Sequence, residues 1–282
     1  MLLKTDTNID IDDVQINFDE SGLWILNIAI AIIMFGVALG ITLNDFKQLF
    51  KNPKIVFVGV FSQFILLPAT TFIAIILIKP HPSFALGMMM IAACPGGNVS
   101  NFFSKMARGN AALSVSLTAF ATLICVVMTP VNLHFWGSLY EPTNNILKTI
   151  SINPYDLFKL VSLILGVPLI FGMLIKQYFN ELSIQIEKIL KPLSMGVLIV
   201  LIVIAFSQNL EIFIYNIHHV LYLVIFHNIF AYILGFYTAK AFKLDHKNCR
   251  TIAIETGIQN GGLGLLLIFS FFNGLGGMAL LA

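Results

Sequence analysis

Residues 252–269, IAIETGIQNGGLGLLLIF, form an apolar run long enough to cross a bilayer, yet Glu255, Gln259, Asn260 and the glycines Gly257, Gly261 and Gly262 interrupt it. Glu255 is the only acidic residue deep inside any hydrophobic segment of the chain. A carboxylate at the centre of a membrane helix costs about 2.5 to 3.5 kcal/mol on insertion scales, so a partner or a function should accompany it. Glycines on both sides of the Gln259-Asn260 pair favour an unwound helix, and unwound backbone in a membrane frees carbonyls that need something to coordinate. A bound cation meets both needs.

Composition places the rest of the chain in the same setting. Of 282 residues, 58% are hydrophobic and only 11% are charged, against about 25% charged in soluble domains. Each apolar segment is of helical spanning length, whereas barrel strands are shorter and alternate. The fold class is therefore an all-α integral membrane protein, with the lipid bilayer as its first partner and no nucleic acid expected. Cys94, Cys125 and Cys249 are scattered and odd in number, so no disulfide framework is implied. His218, His219 and His227 lack the spacing of a metal motif and read as interfacial or packed residues.

Residues 1–21 carry Asp6, Asp10, Asp12, Asp13, Asp19 and Glu20 against a single Lys4 and read as an acidic extramembrane tail. The tail has neither the basic start and apolar core of a signal peptide nor the glycine and terminal glutamate of a calcium loop. Eight spans follow, at about 22–43, 54–79, 84–107, 110–139, 155–177, 190–208, 219–241 and 249–272. The polar stretch 140–154, YEPTNNILKTISINP, separates a first half, 22–139, from a second, 155–282. With the tail outside, twelve of the sixteen lysines and arginines fall in loops on the cytoplasmic side, leaving Lys4, Lys79, Lys148 and Lys159 opposite. The positive-inside rule then predicts an external N-terminus in a plasma or inner membrane.

The third span contains a second interruption, CPGGNVSN at 94–101. Pro95 removes a donor and Gly96-Gly97 loosen the backbone, so a break is predicted with the helix restarting near Asn98. Ser100 and Asn101 then sit on the first turn of a half-helix whose free amides and positive dipole end suit an anion. The span before the first break contains Gln63, and the span before the second break, at 255–262, contains Asn228. The two broken spans run in opposite directions through the membrane. Interrupted helices at corresponding places in inverted halves are the best sequence pointer to a binding site at the membrane midplane.

The segments CPGGNVSN at 94–101, ARGNAALSVSLT at 107–118 and RTIAIETGIQNGG at 250–262 closely resemble the bile acid:sodium symporter family. The resemblance extends from about Trp24 to the last residue. It implies an inverted-repeat transporter with two crossed discontinuous helices, divided into core and panel domains, in which these spans are the second to ninth and the tail stands where the first helix would be. The chain stops at 277–282, where the family's last helix should be starting, so contacts on that helix are left unnamed.

The resemblance also implies sodium-coupled import of an organic anion by alternating access, with Na+ as coupling ion and no resident cofactor. One sodium site would use side-chain oxygens of Ser100, Asn101, Ser114, Thr118 and Glu255. A second would use Gln63, Glu255 and Gln259 with the carbonyls of Thr256 and Ile258. Both sets are all oxygen, as a hard cation prefers, and Glu255 supplies charge to each. Ser114 and Thr118 are four apart, hence on one helical face, although such hydroxyls also commonly bond back to their own helix. Substrate contacts implied by the resemblance are Gly97, Asn98 and Asn260, with Asn98 standing where many relatives carry threonine. Two other classes remain open on the residues alone. A cation/proton antiporter would be expected to place a second carboxylate beside Glu255. An intramembrane enzyme would need a base beside a nucleophile, and the spans offer no recognisable pairing.

Overall fold

A computed structural model describes residues 20–40, 42, 51–97, 99–149, 154–208, 210–272 and 274–276. The tail before residue 20 and Asn98 lie outside the described residues. Every named element is helical, and Gly96 and Gln259 form an isolated backbone bridge. In chain order the elements are α1 (Glu20–Ala38), α2 (Pro53–Ile78), α3 (Pro82–Ala93), α4 (Val99–Met106), α5 (Ala111–Leu139), α6 (Glu141–Thr149), α7 (154–178), α8 (Asn180–Gln208), α9 (Leu210–Ala241), α10 (His246–Gly257) and α11 (Gly261–Phe272). By length and composition, four described helical stretches can cross a membrane: Pro53–Ile78, Ala111–Leu139, Phe158–Tyr178 and Val220–Ala241. The two shorter apolar helices, α3 and α11, belong to the interrupted spans.

Local chemistry sets the ends. Pro53 and Pro82 stand in the first turns of α2 and α3, where a missing N–H leaves no bond unmade. Asn110 caps α5 by accepting from the Leu113 amide at 3.1 Å, and Asp245 caps α10 by accepting from the Asn248 amide at 2.9 Å. These two caps are joined. Asn110 Nδ2 donates to Asn248 Oδ1 at 2.9 Å, and the Asn110 amide donates to Thr251 Oγ1 at 2.8 Å. The start of α10 is thereby tied to the start of α5. The stretch 140–154, read above as a break between halves, holds a helix of its own, α6, fastened by Thr143 Oγ1 to the Gly137 carbonyl at 2.6 Å.

Prolines bend two spans in a more specific way. Pro68 and Pro168 each follow a five-residue π-helical turn, Ser62–Leu66 in α2 and Ser162–Gly166 in α7. A proline ring collides with the carbonyl four residues earlier in a straight α-helix, and a local widening relieves that collision. The second turn puts Ile164 and Leu165 into the apolar core, whereas the first buries Ser62, Gln63 and Phe64 in succession.

Small residues let helices approach closely, as expected where packing rather than water exclusion drives association. A methyl group built on Gly172 of α7 would lie 2.4 Å from the Ala38 Cβ of α1, and one on Gly235 of α9 would lie 2.8 Å from the Ile252 carbonyl of α10. Helix α1 packs on α7 and α8, while α9 packs on α10 and α3 packs among α2, α5 and α11. The main apolar cluster centres on α3 and α11, with Met88, Met89, Met90, Leu266, Leu267 and Phe269 buried in it.

Candidate functional site

The two breaks meet. Gly96 and Gln259 form an antiparallel bridge, the Gly97 amide donates to the Ile258 carbonyl at 2.8 Å, and the Asn260 amide donates to the Pro95 carbonyl at 2.8 Å. Backbone groups released by the unwinding of each helix thus partly satisfy those of the other. Gly96 and Gly97 permit the approach. A methyl group on Gly97 would lie 2.9 Å from the Gln259 carbonyl oxygen, and one on Gly96 would lie 2.8 Å from Glu255 Oε2.

The second break is narrower than its glycines suggest. Helix α10 continues through Thr256 and Gly257, and only 258–260 are unwound before α11 begins at Gly261. Gly257 serves packing instead, since a methyl group there would fall 2.5 Å from the Tyr232 ring. The first break runs as expected from Cys94, whose backbone is extended, to the restart at Val99. The Gly97 carbonyl accepts the Ser100 amide at 2.9 Å and starts the new helix.

Glu255 lies on the last turn of α10, fully buried. Three neutral hydroxyls donate to it. Ser100 Oγ of α4 and Ser114 Oγ of α5 both donate to Oε1, the former at 2.5 Å, and Thr118 Oγ1 of α5 donates to Oε2 at 2.8 Å. Asn101 Oδ1 lies 3.3 Å from Thr118 Oγ1, and Ser104 Oγ lies 3.1 Å from Ser114 Oγ, whose one proton is spent on Glu255. The five residues implied for the first sodium site therefore converge from three helices. Ser114 and Thr118 point across to Glu255 rather than only back to their own helix. Ser104, one turn beyond Ser100, was missed by sequence reasoning, although its four-residue spacing from Ser100 was a usable signal.

The second set gathers on the other side of Gly96. A methyl group on Gly96 would lie 3.2 Å from Gln63 Nε2 as well as 2.8 Å from Glu255 Oε2, so both side chains converge on that glycine. Gln63 is fully buried, and its Oε1 has no hydrogen-bond partner among the described residues. An unpaired buried amide is costly, commonly about 1 to 3 kcal/mol per group. Gln259 Nε2 donates to the Thr256 carbonyl at 2.7 Å, and its Oε1 is likewise buried without a partner. The Ile258 carbonyl is engaged by Gly97 and retains its second lone pair. Thr256 Oγ1 meets Ser62 Oγ at 3.0 Å, a link between α10 and the π turn.

Of the substrate contacts implied above, Gly97 stands at the crossing and Asn98 lies outside the described residues. Asn260 caps α11, its Oδ1 accepting from the Leu263 amide at 3.1 Å. The parallel between Gln63 and Asn228 does not hold at the side-chain level. Asn228 is exposed, whereas its neighbour His227 is buried and meets Thr71 Oγ1 at 2.8 Å through Nε2.

A helical membrane chain in which two broken segments cross beside a buried carboxylate is a transporter by class, not an enzyme. Residues 27–216 match the sodium bile acid symporter family model, and the chain belongs to that family. It is 31% identical over 262 residues to an uncharacterized sodium-dependent transporter, YocS, of Bacillus subtilis, covering 92% of this chain and 79% of that protein. Against the human ileal sodium/bile acid cotransporter it is 32% identical over 244 residues, covering 84% of this chain and 66% of the relative. A probable sodium/metabolite cotransporter of Arabidopsis thaliana chloroplasts, BASS1, is 28% identical over 87% of this chain and 59% of its own length.

Proposed function

We propose that the protein imports an organic anion together with sodium, using two ion sites that share Glu255. The observation that carries this reading is the pairing of a fully buried carboxylate with oxygens that are poised but incompletely used: Gln63 Oε1 and Gln259 Oε1 are buried without partners among the described residues. A cation between Glu255 and these amides gives the carboxylate a counter-charge and the amide oxygens a ligand, offsetting both costs. Hydroxyls suit the first site for a related reason. Ser100, Ser114 and Thr118 can keep their protons on Glu255 while turning lone pairs toward an ion.

The anion then occupies the region outside the crossing, where the amino ends of α4 and α11 present the positive ends of their dipoles. Gly97, Asn98 and the Nδ2 of Asn260 are the groups proposed to meet it. The relatives named for bile acids or metabolites suggest a carboxylate or sulfonate on an apolar body. We read the helices as two inverted repeats. The assemblage around the crossing (α2 to α5 with α9 to α11) forms a core, α1, α7 and α8 form a panel, and alternating access arises from motion between them. The lysine and arginine bias places the N-terminus outside a plasma or inner membrane.

Uptake of bile acids and of smaller carboxylates into vesicles, with and without an imposed sodium gradient, tests the reading. Accumulation that needs inward sodium, and that falls when Gln259→Ala shifts the sodium curve, is the expected result. Accumulation that ignores sodium but follows a proton gradient contradicts it.

A further inference from the structure

We infer that Asn132, in the distal half of α5, is a positioning residue for the ion site: it holds the π turn of α2 in the register that aims Gln63 at Glu255. The inference rests on the sodium-coupled reading above. Pro68 has no N–H, so the Phe64 carbonyl lacks its α-helical donor. Asn132 Nδ2 donates to that carbonyl at 2.9 Å from another helix. The orientation of the amide is chemically dictated. Trp136 Nε1, which can only donate, lies 3.2 Å from Asn132 Oδ1, so the NH2 group must face the carbonyl. Trp136 is itself seated against α2, its ring 5.3 Å from that of Phe72.

The consequence for the site is geometric. Within the widened turn the Leu67 amide reaches back five residues to the Ser62 carbonyl, and Ser62, Gln63 and Phe64 are all turned inward. An ordinary α-helix rotates successive residues by about 100° and shifts everything beyond a removed bulge by the same angle. Straightening this turn would therefore disturb the placement of Ser62 against Thr256 and of Gln63 beside Gly96. Asn132 itself is nearly fully buried, with its amide nitrogen on the Phe64 carbonyl and its amide oxygen on the Trp136 indole.

The test separates this from simple stabilisation. Asn132→Leu leaves the Phe64 carbonyl unpaired and can lower stability on that account alone. Adding Pro68→Ala restores an N–H at position 68, so the double variant can pair the Phe64 carbonyl within a straight helix. Sodium is titrated against wild type, the double variant, Gln63→Ala and the triple variant, in full-length protein, by sodium-dependent melting temperature and by sodium half-saturation of uptake. The expected result is a double variant that melts near wild type without sodium but needs about tenfold more sodium, the size typical of lost outer-shell support. Adding Gln63→Ala should then cost little more, because the double variant has already withdrawn that side chain. A double variant with wild-type sodium affinity, or full additivity with Gln63→Ala, overturns the role of Asn132. Absence of any sodium response in wild type overturns the symporter reading itself, and this inference with it.

Discussion

At the scale of single residues, the site is governed by how little room there is around Glu255. Gly96 is required because its hydrogen faces both Glu255 Oε2 and the Gln63 amide, and a side-chain carbon at 2.8 Å from the carboxylate cannot be accommodated without moving it. Gly96→Ala should insert normally and lose at least about tenfold in sodium affinity, read as the sodium concentration giving half-maximal uptake. Ser114→Ala removes one of two donors to Oε1 and a proposed ligand to the first ion. It should raise the sodium requirement while anion affinity at saturating sodium stays close to wild type, a split that kinetic measurement at two sodium levels resolves. The same residues show how far sequence reaches. Glu255 was legible because an acidic group in an apolar span has few reasons to be there, whereas Ser100, Asn101, Ser114 and Thr118 were assigned through the family resemblance. Their convergence through α4, α5 and α10 was implied only by the family resemblance, since it depends on which helices cross. Ser104 and the Ser62–Thr256 pair escaped because small hydroxyls occur throughout membrane helices and most bond to their own backbone.

At the scale of helices, proline and glycine in apolar sequence announced both breaks, but not their lengths. Gly257 belongs to the packing of α10 on α9 rather than to the unwound segment, a distinction invisible without Tyr232 opposite it. The π turn of α2 was equally hidden. Pro68 alone predicts a disturbance and does not say whether it becomes a kink or a bulge. Helix α6 lies in the polar stretch read as separating the halves, and Pro142 sits in its first turn, where proline is compatible with a helix. Two predictions belong here. Asp245→Ala removes the α10 cap and one end of the Asn248–Asn110 link, and should lower stability by about 1 kcal/mol with the sodium response intact, as a denaturation or thermal assay in detergent would show. Gly172→Leu should force α1 and α7 apart and reduce uptake while leaving sodium binding in place, because none of the groups named around Glu255 lies on either helix.

For the whole molecule, the account makes one residue answer for two cations. The backbone pairing between the breaks, the hydroxyls on Oε1 and Oε2 and the amides beyond Gly96 all organise around the Glu255 charge. Replacing it by glutamine keeps size and hydrogen-bonding capacity but leaves two buried ions with no full counter-charge, a cost the remaining neutral oxygens cannot offset. In the absence of sodium the variant should be at least as stable as wild type, since an unpaired intramembrane carboxylate is gone. The direct measurement is calorimetric titration of sodium into purified wild type and Glu255→Gln. The account predicts saturable binding to the wild type and none to the variant, from protein that folds and inserts equally well. Unaltered sodium binding by a folded Glu255→Gln protein would falsify it.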